Sequence, residues 1–147
     1  MKRSTLHAVA ACAALAAAAC ASPLAMDARL NGGDDPQGTV FLVQVENGNH
    51  MDALYEGRVA RDEAGCLRLE TTDRHTVLWP AGSRFYTRDG EFHVTDAAGR
   101  QVGTIGGTFG LGGGETAGLR AHLLSADDYR LATERCPGRY WVVSGIK

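Results

Sequence analysis

From residue 39 onward, apolar and polar positions fall into short runs broken by turn-forming residues. Thr39-Val40-Phe41-Leu42-Val43-Gln44-Val45 is β-branched and largely apolar, and Asn47-Gly48-Asn49 stops it. Leu54 to Arg61 sets Leu54, Glu56, Arg58 and Ala60 against Tyr55, Gly57, Val59 and Arg61, the period of two expected of a strand. Asp62-Glu63-Ala64-Gly65 predicts a turn into Cys66-Leu67-Arg68-Leu69-Glu70-Thr71. Thr76-Val77-Leu78-Trp79 follows and is halted by Pro80 and Gly82. Arg84 to Thr87 and Glu91 to Thr95 flank Asp89-Gly90, a strong hairpin signal. Asp96-Ala97-Ala98-Gly99 turns the chain again, into Gln101 to Ile105.

One helix is predicted near the C-terminal end. Ser125 can cap it, Asp127 and Asp128 suit its positive end, and Cys136-Pro137-Gly138 ends it. Leu119 to Leu124 forms a preceding turn, and Arg139-Tyr140-Trp141-Val142-Val143 a closing strand. Many short strands at this spacing argue for a mainly β fold: a small curved antiparallel barrel, OB-like, or a sandwich, with one short C-terminal helix. The barrel is preferred, because glycines recur where strands must bend.

The first 37 residues read differently. Lys2 and Arg3 precede a run, Leu6 to Ala19, that is apolar or small apart from His7 and holds no acid. The run suits a signal-peptide core better than a membrane span. Leu15-Ala16-Ala17-Ala18-Ala19-Cys20 resembles a lipobox, with Ala17 where leucine is usual. Val9-Ala10-Ala11-Cys12 matches that pattern more closely, but leaves too short an apolar stretch ahead of it. The resemblance implies a signal peptide at 1–19, lipidation of Cys20 and anchoring in the outer membrane, facing the periplasm. Ordinary cleavage after Ala19 or Ala21, giving a soluble periplasmic or secreted protein, is the alternative. Residues 20–37, with Ser22-Pro23 and Asn31-Gly32-Gly33-Asp34-Asp35-Pro36, are expected to be a flexible tether, and 38–147 the β-rich domain.

Without Lys2 and Arg3 the 15 basic residues fall to 13 against 17 acids, a formal charge of −4. No basic stripe exists to follow a phosphate backbone, so nucleic acid is not an expected partner. Cys12 would leave with the leader and Cys20 would carry lipid, leaving Cys66 and Cys136. In an oxidising compartment two leftover cysteines pair most simply, stapling the strand region to the helix–strand junction; two buried thiols are the alternative.

Chemistry is sparse. The glycine-rich run Gly103 to Glu115 lacks the Gly-Lys-Ser/Thr ending of a phosphate loop and is read as a bent strand and loop, with Gly110 to Glu115 as a candidate protrusion. His50, His75, His93 and His122 form no metal-binding spacing and are read as solvated. Ser83 lacks a Gly-x-Ser-x-Gly setting. No cofactor, metal or catalytic residue is expected. Trp79 and Trp141 are assigned to the core, whereas Arg84, Tyr86 and Arg88 are the candidate binding residues on an exposed hairpin.

Gly65-Cys66-Leu67, Val77-Leu78-Trp79-Pro80-x-Gly82, Leu111-Gly112-Gly113-Gly114-Glu115 and Cys136-Pro137-Gly138-x-Tyr140-Trp141-Val142-Val143 together resemble a pattern of small exported bacterial β-domains. That resemblance covers most of the mature chain, brings no activity and supports a Cys66–Cys136 link. Lysozyme-inhibiting barrel lipoproteins have a comparable architecture, but their motifs are absent. The leading expectation is a non-enzymatic envelope module binding a protein, peptide or glycan. An inhibitor or immunity lipoprotein directed at a hydrolase, and a small hydrolase, are the alternatives.

Overall fold

The computed structural model describes Gly33–Asp34, 38–48 and 50–147. The expected leader, Cys20 and most of the tether lie outside these residues. The strands are β1 (Gly33–Asp34), β2 (Val40–Val43), β3 (Ala53–Arg61), β4 (Leu67–Leu69), β5 (Thr76–Trp79), β6 (Arg84–Arg88), β7 (Glu91–Thr95), β8 (Gln101–Thr104), β9 (Thr108–Thr116) and β10 (Tyr140–Ile146). A 3-10 turn, Ala121–Leu123, precedes helix α1 (Ala126–Arg135). β1 pairs with β2 through Gly33↔Phe41 and Asp34↔Val40, so the fold reaches into the stretch expected to act as tether.

Five strands close a barrel in the order β5-β10-β9-β3-β4, with Arg68↔Thr76 joining β4 back to β5. Counted along the chain, this circle runs first, second, third, fifth, fourth, which is the order of an OB-type barrel. The expectation of a small barrel with one short helix therefore holds. Two details differ from an all-antiparallel ring. β10 runs parallel to β5 (Tyr140↔Thr76, Val142↔Leu78), and β2 lies parallel to β5 on its other edge (Leu42↔Leu78), continuing where β4 leaves off. A three-stranded sheet, β6-β7-β8, is inserted between the third and fourth barrel strands.

Alternation along the strands divides the apolar residues between two cores. Val59, Leu67, Leu69, Val77, Trp79, Phe109, Leu111 and Val143 fill the lumen, together with Phe41. The opposite faces of β2, β5 and β10 present Val40, Leu42, Leu78, Tyr140 and Val142 to Leu123, Leu124 and Ala132 on the helical side. β5 is buried on both faces, which explains why its sequence is a continuous run rather than an alternating one. Phe85 and Val94 of the inserted sheet extend the lumen core through stacked rings: Phe41–Trp79 at 5.5 Å, Phe41–Phe85 at 5.2 Å and Phe85–Phe92 at 5.2 Å.

Local signals explain the boundaries. Asp89 and Gly90 both have positive φ (54° and 80°), the backbone that a two-residue hairpin turn requires. Ser125 accepts the Asp128 N–H at 3.1 Å and caps α1, and the Cys136 N–H closes the helix onto the Ala132 carbonyl. Cys66 and Cys136 form a disulfide with Cα atoms 5.7 Å apart. It ties the entry of β4 to the end of α1, just before β10.

The expectation for the glycine-rich segment is corrected. Gly110 to Glu115 is no protruding loop but the middle of β9, paired with β10 on one side and β3 on the other. Glycine is required there because the strands pack closely. A Cβ on Gly113 would lie 2.1 Å from the Val142 carbonyl oxygen.

Candidate binding groove

The groove originates in a mismatch of strand lengths. β5 stops at Trp79, and Pro80, which has no N–H to extend a ladder, turns the chain toward the inserted sheet. β10 continues past Val142, its last residue paired with β5 (at Leu78), through a bulge at Ser144 to Ile146. The gap becomes an open groove of about 590 Å³. Asn47, Pro80, Ala81 and Ser83 line one wall, Gly145 to Lys147 another, and the β7–β8 turn with Gln101 and Val102 the third. A smaller hollow of about 290 Å³, bordered by Met51 to Leu54, shares Gly145, Ile146 and Lys147 with it.

The polar groups of the groove differ in how far they are already engaged. Asn47 spends its amide on Ala81, accepting the Ala81 N–H at 2.8 Å, and so fixes that wall. Asp96 accepts the Arg100 N–H at 2.9 Å and the Ala98 N–H at 3.0 Å, and pairs with the Arg100 guanidinium at 2.7 Å. The Arg100 N–H, then its guanidinium, hold the Asp96 carboxyl below the usual range against a smaller desolvation. Ser83 is only 1% exposed, and its hydroxyl has no hydrogen-bond partner among the described residues. A buried hydroxyl left in this state is costly, and the Trp79 and Trp141 indole nitrogens share it. Lys147 has no ion-pair partner among the described residues.

The candidate hairpin residues lie next door. Arg84, Tyr86 and Arg88 follow one another at the strand period on the face of β6 opposite Phe85. Tyr86 is half-buried rather than free, stacked on His93 at 5.1 Å with its hydroxyl donated to the Gln101 Oε1 at 3.1 Å. Arg84 and Arg88 are exposed. Gln101 thus links this face to the groove rim, but none of the three residues lines the groove.

Two of the histidines expected in solvent are buried. His93 lies beneath Tyr86 with its Nδ1 3.2 Å from the Thr104 hydroxyl. His75 closes one end of the barrel beside Trp141, and its Nε2 is 3.2 Å from the Glu115 carboxylate, without the alignment of a hydrogen bond. Arg139 pairs with the same carboxylate. Desolvation pushes the Glu115 carboxyl up, but His75 and Arg139 together outweigh it and hold the group below its ordinary value. Sequence spacing had no signal for this cluster, because its members come from the β4–β5 loop, β9 and the residue just before β10.

No histidine or carboxylate hydrogen-bonds to Ser83, and His75 belongs to neither groove. Among the described residues no cluster of three or more metal-ligating side chains occurs. Trp79, Phe85, Phe109 and Tyr140 are core residues, and no aromatic ring lines the groove. Comparison with known protein families, curated proteins and solved structures finds no match to this chain.

Proposed function

We propose that this chain is an exported, lipid-anchored envelope protein whose barrel binds a protein or peptide in the groove between β10 and the inserted sheet, without catalysing a reaction on it. The observation that carries the reading is the open groove of about 590 Å³ beside the end of β10 that no strand covers among the described residues. The lack of an aromatic platform favours a polypeptide over a glycan, since sugar rings are held largely by stacking and apolar contact. Export rests on the leader pattern of residues 1–19 and on the Cys66–Cys136 disulfide, which suits an oxidising compartment. Among the described residues no helix is long and apolar enough to cross a membrane; the proposed attachment is a lipid on Cys20, resting on the lipobox-like Leu15 to Cys20. Residues between Cys20 and β2 then space the domain from the outer membrane.

Two measurements test this reading. Intact mass of the exported protein should show a chain beginning at acylated Cys20, lighter by two hydrogens for the disulfide. Retention of residues 1–19, or an unmodified Cys20, would refute the address. A photo-crosslinking residue placed at Ala81 or Gln101 should give the same discrete adduct in intact cells, and none when placed at the exposed Thr133 of α1. Equal adducts from all three positions, or none from the groove, would refute the binding site.

A further inference from the structure

We infer that the groove takes an extended, acidic peptide segment that adds as a strand to the free edge of β10, an inference that rests on the reading of the groove as the binding site. On one side β10 is fully held by β9, through Gly145↔Gly112, Ile146↔Leu111 and the Lys147 N–H to the Gly110 carbonyl at 2.9 Å. On the other side β5 accompanies it only as far as Val142. The Gln44 amide then seals the seam, donating to the carbonyls of Leu78 at 3.1 Å and Val143 at 2.7 Å. Beyond that point, among the described residues, no strand covers Ser144 to Ile146.

This edge is held from behind by the pairing of Gly145 and Ile146 with β9, with the bulge at Ser144 between it and the seam. A free edge of this kind recognises any main chain that can supply alternating N–H and C=O groups, which is the physics of strand addition. Three residues of edge span about 10 Å at ~3.3 Å per residue, enough to pair a short segment. The groove lies along this edge, and its opposite wall includes Ser83, whose buried hydroxyl has no partner among the described residues. Charge sets the sign of the ligand. In the groove itself Asp96 is engaged by Arg100, whereas Lys147 has no ion-pair partner among the described residues, so an acidic side chain is the complementary one there; Asp52 lines only the smaller hollow.

The probe is a library of capped octapeptides, random except for one central position held as Glu, Lys or Gln, screened against the exported full chain in detergent. The Glu set should yield binders at least tenfold tighter than the Lys set. The selected peptide should shift the amide resonances of Ser144 to Lys147 and of Ser83 in the ¹⁵N-labelled protein. N-methylation of alternate peptide amides should weaken binding tenfold or more, while methylation of the intervening ones changes it less than threefold. K147E should reverse the preference from Glu to Lys peptides, and S83A should weaken binding several-fold with the fold intact. Binders indifferent to N-methylation, binders that shift resonances elsewhere, or no enrichment in any set would overturn strand addition. Groove crosslinks persisting in cells alongside such a failure would leave the binding site standing and remove only this mode of binding.

Discussion

Reduction of the Cys66–Cys136 disulfide should cost this protein about 4 kcal/mol. The linked residues are 70 apart in sequence, and the chain-entropy relation for a loop of that length gives ~4 kcal/mol of unfolded-state freedom removed. The bond also sits where the fold closes. Cys66 leads into β4 and Cys136 into β10, and these strands flank β5 on its two edges. Against a total of roughly 5–15 kcal/mol for a domain of this size, the loss would be a large share of the stability. In thermal terms it corresponds to a fall in Tm on the order of 15–30 °C. The assay is urea unfolding of the oxidised protein, the reduced protein and the Cys66→Ala/Cys136→Ala double variant. Both cysteines are fully buried, so the double variant should lose somewhat more than reduction alone, which leaves the sulfur atoms to pack. The reduced protein should also unfold with a steeper denaturant dependence, because its unfolded chain is more expanded. A loss below ~1 kcal/mol with an unchanged slope would refute the loop-entropy reasoning.

Three further outcomes follow from local geometry. Asp62 accepts the Cys66 N–H at 2.8 Å and the Arg68 Nε at 2.8 Å, so D62A should cost about 2–3 kcal/mol in urea unfolding by leaving a mostly buried arginine unpaired. G65A should cost ~3 kcal/mol or more, because φ is +88° and the new Cβ would lie 2.0 Å from the Gly38 carbonyl oxygen; G90A, at φ +80° with open space around it, should cost only ~1 kcal/mol by the same assay. The Glu115 carboxyl is held below its ordinary 4.5, so its contribution is complete above that pH and is lost as pH falls through the lowered value. Stability of E115Q and the parent should therefore differ at neutral pH and converge in acid, as read by denaturation midpoints from pH 7 to pH 2.

What the sequence revealed was local in origin. Strand limits followed turn chemistry: Asp89-Gly90 and Asp96 to Gly99 stop β6 and β7 where expected, and Ser125 and Cys136 bound α1. The disulfide followed from cysteine count and compartment. What it concealed depends on contacts between distant segments. The parallel seam joins Thr76–Leu78 to Tyr140–Val142 across some sixty residues, and no periodicity encodes that pairing. Glycines of β9 looked like loop residues because composition cannot distinguish freedom to bend from the need to pack closely, and Gly113 serves the second purpose. His75 and His93 looked solvated because burial of a single polar residue is decided by its neighbours, here Trp141 and Tyr86. The hairpin residues Arg84, Tyr86 and Arg88 were placed on the correct strand, yet the groove formed beside them rather than under them.

The groove and the stability of the barrel share one cause. Closing a ring of five short strands requires β5 to serve three neighbours, with β10 on one edge and β4 and β2 in turn on the other. A four-residue strand can do this only by being buried on both faces and by ending abruptly, and Pro80 ends it. β10, seven residues long, is then left uncovered on its β5-side edge over its last residues, while β9 still pairs with the other edge. Gln44 lies at that junction. Its side chain is 3% exposed and its amide satisfies carbonyls from both β5 and β10, so the lumen core stays sealed while the edge beyond opens to solvent. An apolar residue at position 44 would strand those carbonyls, and a longer β5 would fill the groove. The uncovered edge thus exists because the barrel closes with a strand too short to cover its neighbour, and the residue that makes this tolerable is a buried glutamine in a run that reads as plain strand.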